Sequence, residues 1–144
     1  EEEVLVLMRK PEKVRLWLGL CEEWDKDSDQ EAYLIARACS GTLAGACGDP
    51  EVSDAVLQEN VGLCLKKLLA SEKPELIHRS LVIVSQLLQK EDDECGNVPM
   101  AKHFFETGVV GSLASAIKCV EHMSELLTLA HENARKIVNM CKNV

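Results

Sequence analysis

The chain repeats itself, and an internal repeat constrains a fold more than any other feature a sequence can carry. Val56-Leu-Gln-Glu-Asn-Val61 pairs with Phe104-Phe-Glu-Thr-Gly-Val109, and Leu65, Leu68 and Leu69 pair with Leu113, Ala116 and Ile117, always 48 positions apart. A second correspondence sets Arg37-Ala-Cys-Ser against Arg79-Ser-Leu-Val at a spacing of 42. The six-residue difference fits an insertion between Gln89 and Val98, where Glu91-Asp-Asp-Glu-Cys-Gly-Asn97 is acidic and without apolar period. A unit of about forty residues cannot bury its own apolar face, so such units stack on their neighbours.

The units read as helices. Val14, Trp17, Leu18 and Cys21 lie at i, i+3, i+4 and i+7, which places one apolar stripe on a helix from Pro11 to Trp24. Asp25-Lys-Asp-Ser-Asp29 reads as a loop in which Ser28 or Asp29 caps the next helix, Gln30 to Cys47. The second half of that helix, Ala38 to Cys47, is nearly all small residues, which predicts a crowded position. Further helices are predicted over Ser53–Gln58, Val61–Ala70, Pro74–Gln89 and Leu126–Cys141. Pro11, Pro50 and Pro74 stand just ahead of apolar-periodic stretches, where a first helical turn tolerates proline. Asn60 falls opposite Gly108, and both residue types accept the left-handed backbone that a sharp turn between helices demands. Short helix, longer helix, long helix at this period is the armadillo pattern, so the predicted fold is all-α: one domain over residues 1–144, an armadillo-type right-handed superhelical solenoid of about two and a half repeats.

Composition excludes several classes. Apolar residues make up 47% of the chain and aromatics only 3%, so the core must be aliphatic and thiol-rich, which favours helices over a β-sandwich. The formal charge of −8 repels nucleic-acid phosphates and anionic lipid, and no basic stripe offsets it. Val4-Leu-Val-Leu-Met8 is too short to span a bilayer, and three glutamates before it are the wrong flank for a signal peptide. The seven cysteines are an odd number without a CxxC and fall mostly on apolar faces, which is how reduced cytoplasmic thiols are used.

No constellation of catalytic chemistry is present. Gly41, Gly45 and Gly48 match neither GxGxxG nor a P-loop, and close helix packing explains them better. The four histidines stand at no ligand spacing for zinc, and no local motif pairs a cysteine with a histidine in an electropositive setting. The reading is therefore non-enzymatic, without metal or cofactor. The candidate partner-binding face lies on the long helices and comprises Tyr33, Arg37, His78, Arg79, Gln86 and Asn133. His78 and Arg79 would donate to a bound peptide or to carbonyls of a neighbouring repeat; the competing reading is a structural contact within the stack. Tyr33 and Arg37, one helical turn apart, would form a small aromatic–cation patch. Trp17 and Trp24 share a face and read as core anchors, Trp24 alternatively as an exposed edge.

Four stretches resemble the UCS family of chaperones that act on myosin motor heads: Ala38-Cys-Ser-Gly-Thr-Leu-Ala-Gly45, Glu75-Leu-Ile-His-Arg-Ser-Leu-Val-Ile-Val-Ser-Gln-Leu-Leu88, Phe105-Glu-Thr-Gly-Val-Val110 and Ala134-Arg-Lys-Ile-Val-Asn-Met-Cys141. His78-Arg79 before a small residue and an aliphatic run is the most specific of these features. The acidic loop before Pro99 is longer than the family pattern. The resemblance implies the C-terminal end of a UCS domain, with a myosin motor domain as client and a general chaperone recruited through regions outside this chain. The start at an acidic Glu1 without a methionine fits a fragment. The alternative is a generic armadillo scaffold for unrelated peptides or partner proteins.

Overall fold

The computed structural model describes residues 2–24, 30–90 and 95–142. Among them every regular element is a helix: α1 (Glu2–Met8), α2 (Pro11–Glu22), α3 (Gln30–Ala46), α4 (Pro50–Gln58), α5 (Val61–Leu69), α6 (Pro74–Leu87), α7 (Val98–Thr107), α8 (Val109–Cys119) and α9 (Ser124–Lys142). Pro11, Pro50 and Pro74 each open a helix, where the missing N–H leaves no bond unmade. The helix expected from Ser53 therefore begins three residues earlier, and its cap is Asp49, whose carboxylate accepts from the Val52 N–H at 3.1 Å. Asn97 caps α7 in the same way, from the Met100 N–H at 3.2 Å. Val4 to Met8, a stretch too short to display a helical period, lies in α1 and buries Met8. The expected cap at Ser28 or Asp29 and the acidic run from Glu91 to Glu94 lie outside the described residues.

Asn60 and Gly108 both adopt the left-handed backbone, at φ 60° and 84°; Gly108 alone joins α7 to α8, and Asn60 follows Glu59 between α4 and α5. A non-glycine residue there costs on the order of 1 kcal/mol, asparagine least among them. The turn thus keeps its conformation across the 48-residue spacing although the residue changes.

Helices three places apart in the order pack on one another: α2 on α5, α5 on α8, α3 on α6 and α6 on α9. The arrangement is compatible with an α-solenoid. Burial fixes the register. Met8, Val56 and Phe104 are each fully buried at a spacing of 48. Val14, Leu18 and Cys21 recur as Val61, Leu65 and Leu68, and these as Val109, Leu113 and Ala116. On the long helices Ala36, Cys39, Ser40, Leu43, Ala46 and Cys47 recur 41 positions later as Ile77, Ser80, Leu81, Val84, Leu87 and Leu88, all buried. The spacing of 42 read from the sequence is therefore one residue too long. Arg37 corresponds to His78, both exposed, and Arg79 corresponds to Ala38. Matching arginine letters outweighed the burial phase, which a helix shifted by one residue rotates by about 100°.

Side-chain bonds cross between successive groups of helices at nearly the same chain separation. Arg9 grips Asp49 through both carboxylate oxygens at 2.8 and 3.1 Å, Arg15 reaches Glu59 at 2.6 Å, and Asn97 donates to Ser53 at 3.4 Å. Lys67 Nζ donates to the Glu22 carbonyl, and His103 Nε2 accepts the Gly62 N–H at 2.9 Å. These contacts sit at the rims of aliphatic interfaces and select one register among the offsets that apolar packing alone would tolerate.

Candidate partner-binding face

The six residues proposed for the long-helix face separate into three kinds. Arg37 and His78 are exposed at matching positions of α3 and α6. Their side chains offer a guanidinium and an imidazole about one helix spacing apart on one surface, a separation of roughly 8–10 Å between axes.

Tyr33 is half-buried. Its ring meets Trp24 edge-on, centroids 6.5 Å apart at 62°, and Lys73 Nζ lies 5.8 Å from the ring centre. The aromatic–cation patch expected with Arg37 is thus made with Lys73 instead, across α3 and the start of α6. The repeat spacing of 41 carries Tyr33 to Pro74, next to Lys73, so the correct register would have found this partner in the sequence. Trp24 is only 3% exposed, which settles its role as a core anchor.

Arg79 and Asn133 are committed to structure. Arg79 NH1 donates to the Arg37 carbonyl at 2.8 Å, and its Nε lies 3.4 Å from Glu75. Its guanidinium lies so close over Gly41 that a Cβ there would collide with it. Of the two roles read for Arg79, bonding the carbonyl of a neighbouring helix is the one realised. Asn133 is fully buried between α6 and α9, where its amide donates to the Leu81 carbonyl at 3.0 Å and its oxygen accepts from Ser85 Oγ at 2.9 Å. An amide buried without partners costs roughly 2–7 kcal/mol, and both ends of this one are satisfied. Asn133 is therefore removed from the candidate face: its place on the apolar stripe with Ala130 and Ile137 points it inward.

Gln86 is half-buried and lies over the Gly48 backbone. It lines a cleft of about 980 Å³ at the ends of α3 and α6, together with Asp54, Lys90, Lys136 and Asn139. These polar side chains come from three separate stretches of chain, and no spacing in the sequence unites them.

The crowding predicted for the small half of α3 is one-sided. Gly41 receives Arg79 from α6, and Gly48, just past the end of α3, receives Gln86, while nothing approaches Gly45 and Ala38 stands exposed.

Three of the buried thiols, Cys39, Cys47 and Cys64, are poor nucleophiles. Cys21, Cys39, Cys47 and Cys64 are buried. Burial pushes Cys39 up to about 11 and Cys47 to about 12, and Cys64 is held well above the ordinary thiol range by its hydrogen bond with Cys21 and then by burial. Among the described residues no three His, Cys, Asp or Glu side chains gather as a metal site. No described helix is long and apolar enough to cross a membrane. What the face can do chemically is donate hydrogen bonds and present a tyrosine edge.

No family model, curated protein or solved structure matches the chain.

Proposed function

We propose that this chain is the C-terminal end of an armadillo-type UCS domain, a cytoplasmic chaperone module that binds myosin motor heads along the row formed by α3, α6 and α9. In this reading the helices wind as a right-handed superhelix of about two and a half repeats, which α1 extends by a short first helix. The observation that carries it is the run from Glu75 to Leu88: the stretch most specific to the resemblance forms the central helix of the row and presents His78 outward. The paired left-handed turns at Asn60 and Gly108 support the repeat. Recruitment of a general chaperone belongs to regions outside this chain.

Light scattering from a heated myosin motor domain, with and without the chain, tests the proposal. Protection is expected, and the double variant Arg37→Glu, His78→Glu should weaken it by about tenfold, as the loss of one or two charge-assisted contacts does. A folded chain that neither binds nor protects any myosin head overturns it.

One observation favours a second reading. Arg79, half of the most specific pair in the resemblance, is committed to α3 and unavailable to a client. A generic armadillo scaffold would use only Arg37, His78 and the Tyr33–Lys73 pair, and would capture unrelated extended peptides through them.

A further inference from the structure

Three of the five arginines are paired with carboxylates of the chain itself: Arg9 with Asp49, Arg15 with Glu59 and Arg79 with Glu75. Arg37 and Arg135 have no such partner among the described residues, and both stand exposed on long helices, α3 and α9. In a chain with 24 acidic residues to 16 basic ones, an arginine without a carboxylate is the exception. Between these two helices lies α6, whose His78 is exposed and likewise unpaired among the described residues. The acid one turn before it, Glu75, is taken by Arg79. Because α6 has a neighbour on either side, the exposure of His78 does not depend on an uncovered edge.

Charge along the three long helices is sorted by position. Their acids Glu31, Glu75 and Glu125 lie in first turns, where the helix dipole favours negative charge. Beyond those turns the charged residues are Arg37, Arg79, Arg135, Lys136 and Lys142, against Glu132 alone. At physiological ionic strength fields decay over about 8 Å, so a ligand on this row meets the local cations rather than the −8 of the whole chain.

We infer that the long-helix row binds an extended, acidic stretch of polypeptide whose carboxylates meet Arg37, His78 and Arg135 in turn. The inference rests on the chaperone reading for the use of this row and adds the chemistry of the client segment. Arginine presents a fork of N–H donors that matches a carboxylate, and histidine adds a single N–H. Neighbouring helix axes are about 8–10 Å apart, and a polyproline-like strand returns to the same face every three residues, about 9 Å. Acidic residues three apart therefore meet one helix each. Nucleic acid fits less well: a phosphate about every 3.4 Å of strand leaves most of its charge unmatched by cations one helix apart.

Fluorescence anisotropy with a labelled peptide, Glu-Pro-Ala-Glu-Pro-Ala-Glu, tests this as the chain is titrated to about 300 μM, a range that reaches weak complexes. Saturable binding is expected, weakening as salt is raised, and replacing the three glutamates by glutamine should weaken it at least tenfold. Arg37→Glu combined with Arg135→Glu should cost the same with unchanged circular dichroism. Lys102→Glu combined with Lys118→Glu changes the net charge equally but at exposed positions of α7 and α8, and should leave binding within twofold. No binding, equal losses in the two double variants, or a short single-stranded oligonucleotide that binds the row more tightly than the peptide overturns the inference. A chain that protects a myosin head but ignores the peptide removes this inference and leaves the chaperone reading standing. One that binds the peptide and no myosin head does the reverse.

Discussion

His103 shows how one side chain ties two groups of helices. Its Nε2 accepts the Gly62 N–H in the first turn of α5, a donor that no carbonyl within the helix can satisfy. Only a neutral imidazole has the lone pair this bond needs. Burial holds the His103 pKa below the ordinary histidine value of 6.5, against a smaller upward pull from Glu106. A histidine depressed in the folded state takes up its proton more readily when unfolded, so stability is fully present above about 6.5 and falls as the pH drops below it. The urea midpoint should therefore decline between pH 7.5 and 5. In His103→Gln, whose amide oxygen accepts without titrating, that decline should be shallower, because the remaining background comes from other groups. Equal slopes for the two proteins would mean that His103 is not the group responsible. The sequence placed His103 only at a spacing unsuited to metal; its acceptor role depends on a helical N–H 41 residues earlier.

At the scale of the element, the turns at Asn60 and Gly108 were legible because a left-handed residue leaves a chemical signature, and the repeat set the two signatures opposite each other. The consequences of substitution differ. Gly108→Ala should destabilise the protein by about 1–2 kcal/mol, since a Cβ at φ 84° is strained. Asn60→Gly removes such strain and should be neutral or gain a few tenths of a kcal/mol, the smaller unfolded-state entropy of asparagine offsetting part of the relief. Chemical denaturation of both variants checks the pair, and an Asn60→Gly loss as large as that of Gly108→Ala would contradict the shared geometry. Helix starts at proline were equally legible. Helix phase was less so: Arg37 and Arg79 looked equivalent by letter, but the buried set Ala36, Cys39, Leu43 and Ala46 shows that His78 is the partner of Arg37. Single residues that match by identity are weak markers of register, because a helix is positioned by its whole buried face.

Across the whole molecule stability is distributed by neighbours. α5 and α6 are each covered on both sides, by α2 and α8 and by α3 and α9, whereas α1 and the outer face of α9 have one covered side. In a stack held by nearest-neighbour interfaces, opening spreads from the ends. Amide exchange should therefore be slowest for Leu65, Leu68, Leu81 and Val84, and faster by two orders of magnitude or more in α1, the equivalent of about 3 kcal/mol in opening free energy. Uniform protection along the row would instead indicate one all-or-none unit.

That the chain is helical and repetitive, that prolines lead three of its helices, and that Asn60 and Gly108 turn it sharply could all be read from the residues in order. These features follow from local chemistry: propensity, apolar period and backbone strain act within a few residues of the positions that report them. Which polar residues remain available is set by packing. Arg79 and Asn133 carry the same letters as surface binders, yet one holds the Arg37 carbonyl and the other fills the α6–α9 interface, while Arg37 and His78 stay exposed. That distinction depends on partners 42 to 52 residues away, and on a helix phase that one residue of shift would turn to another face.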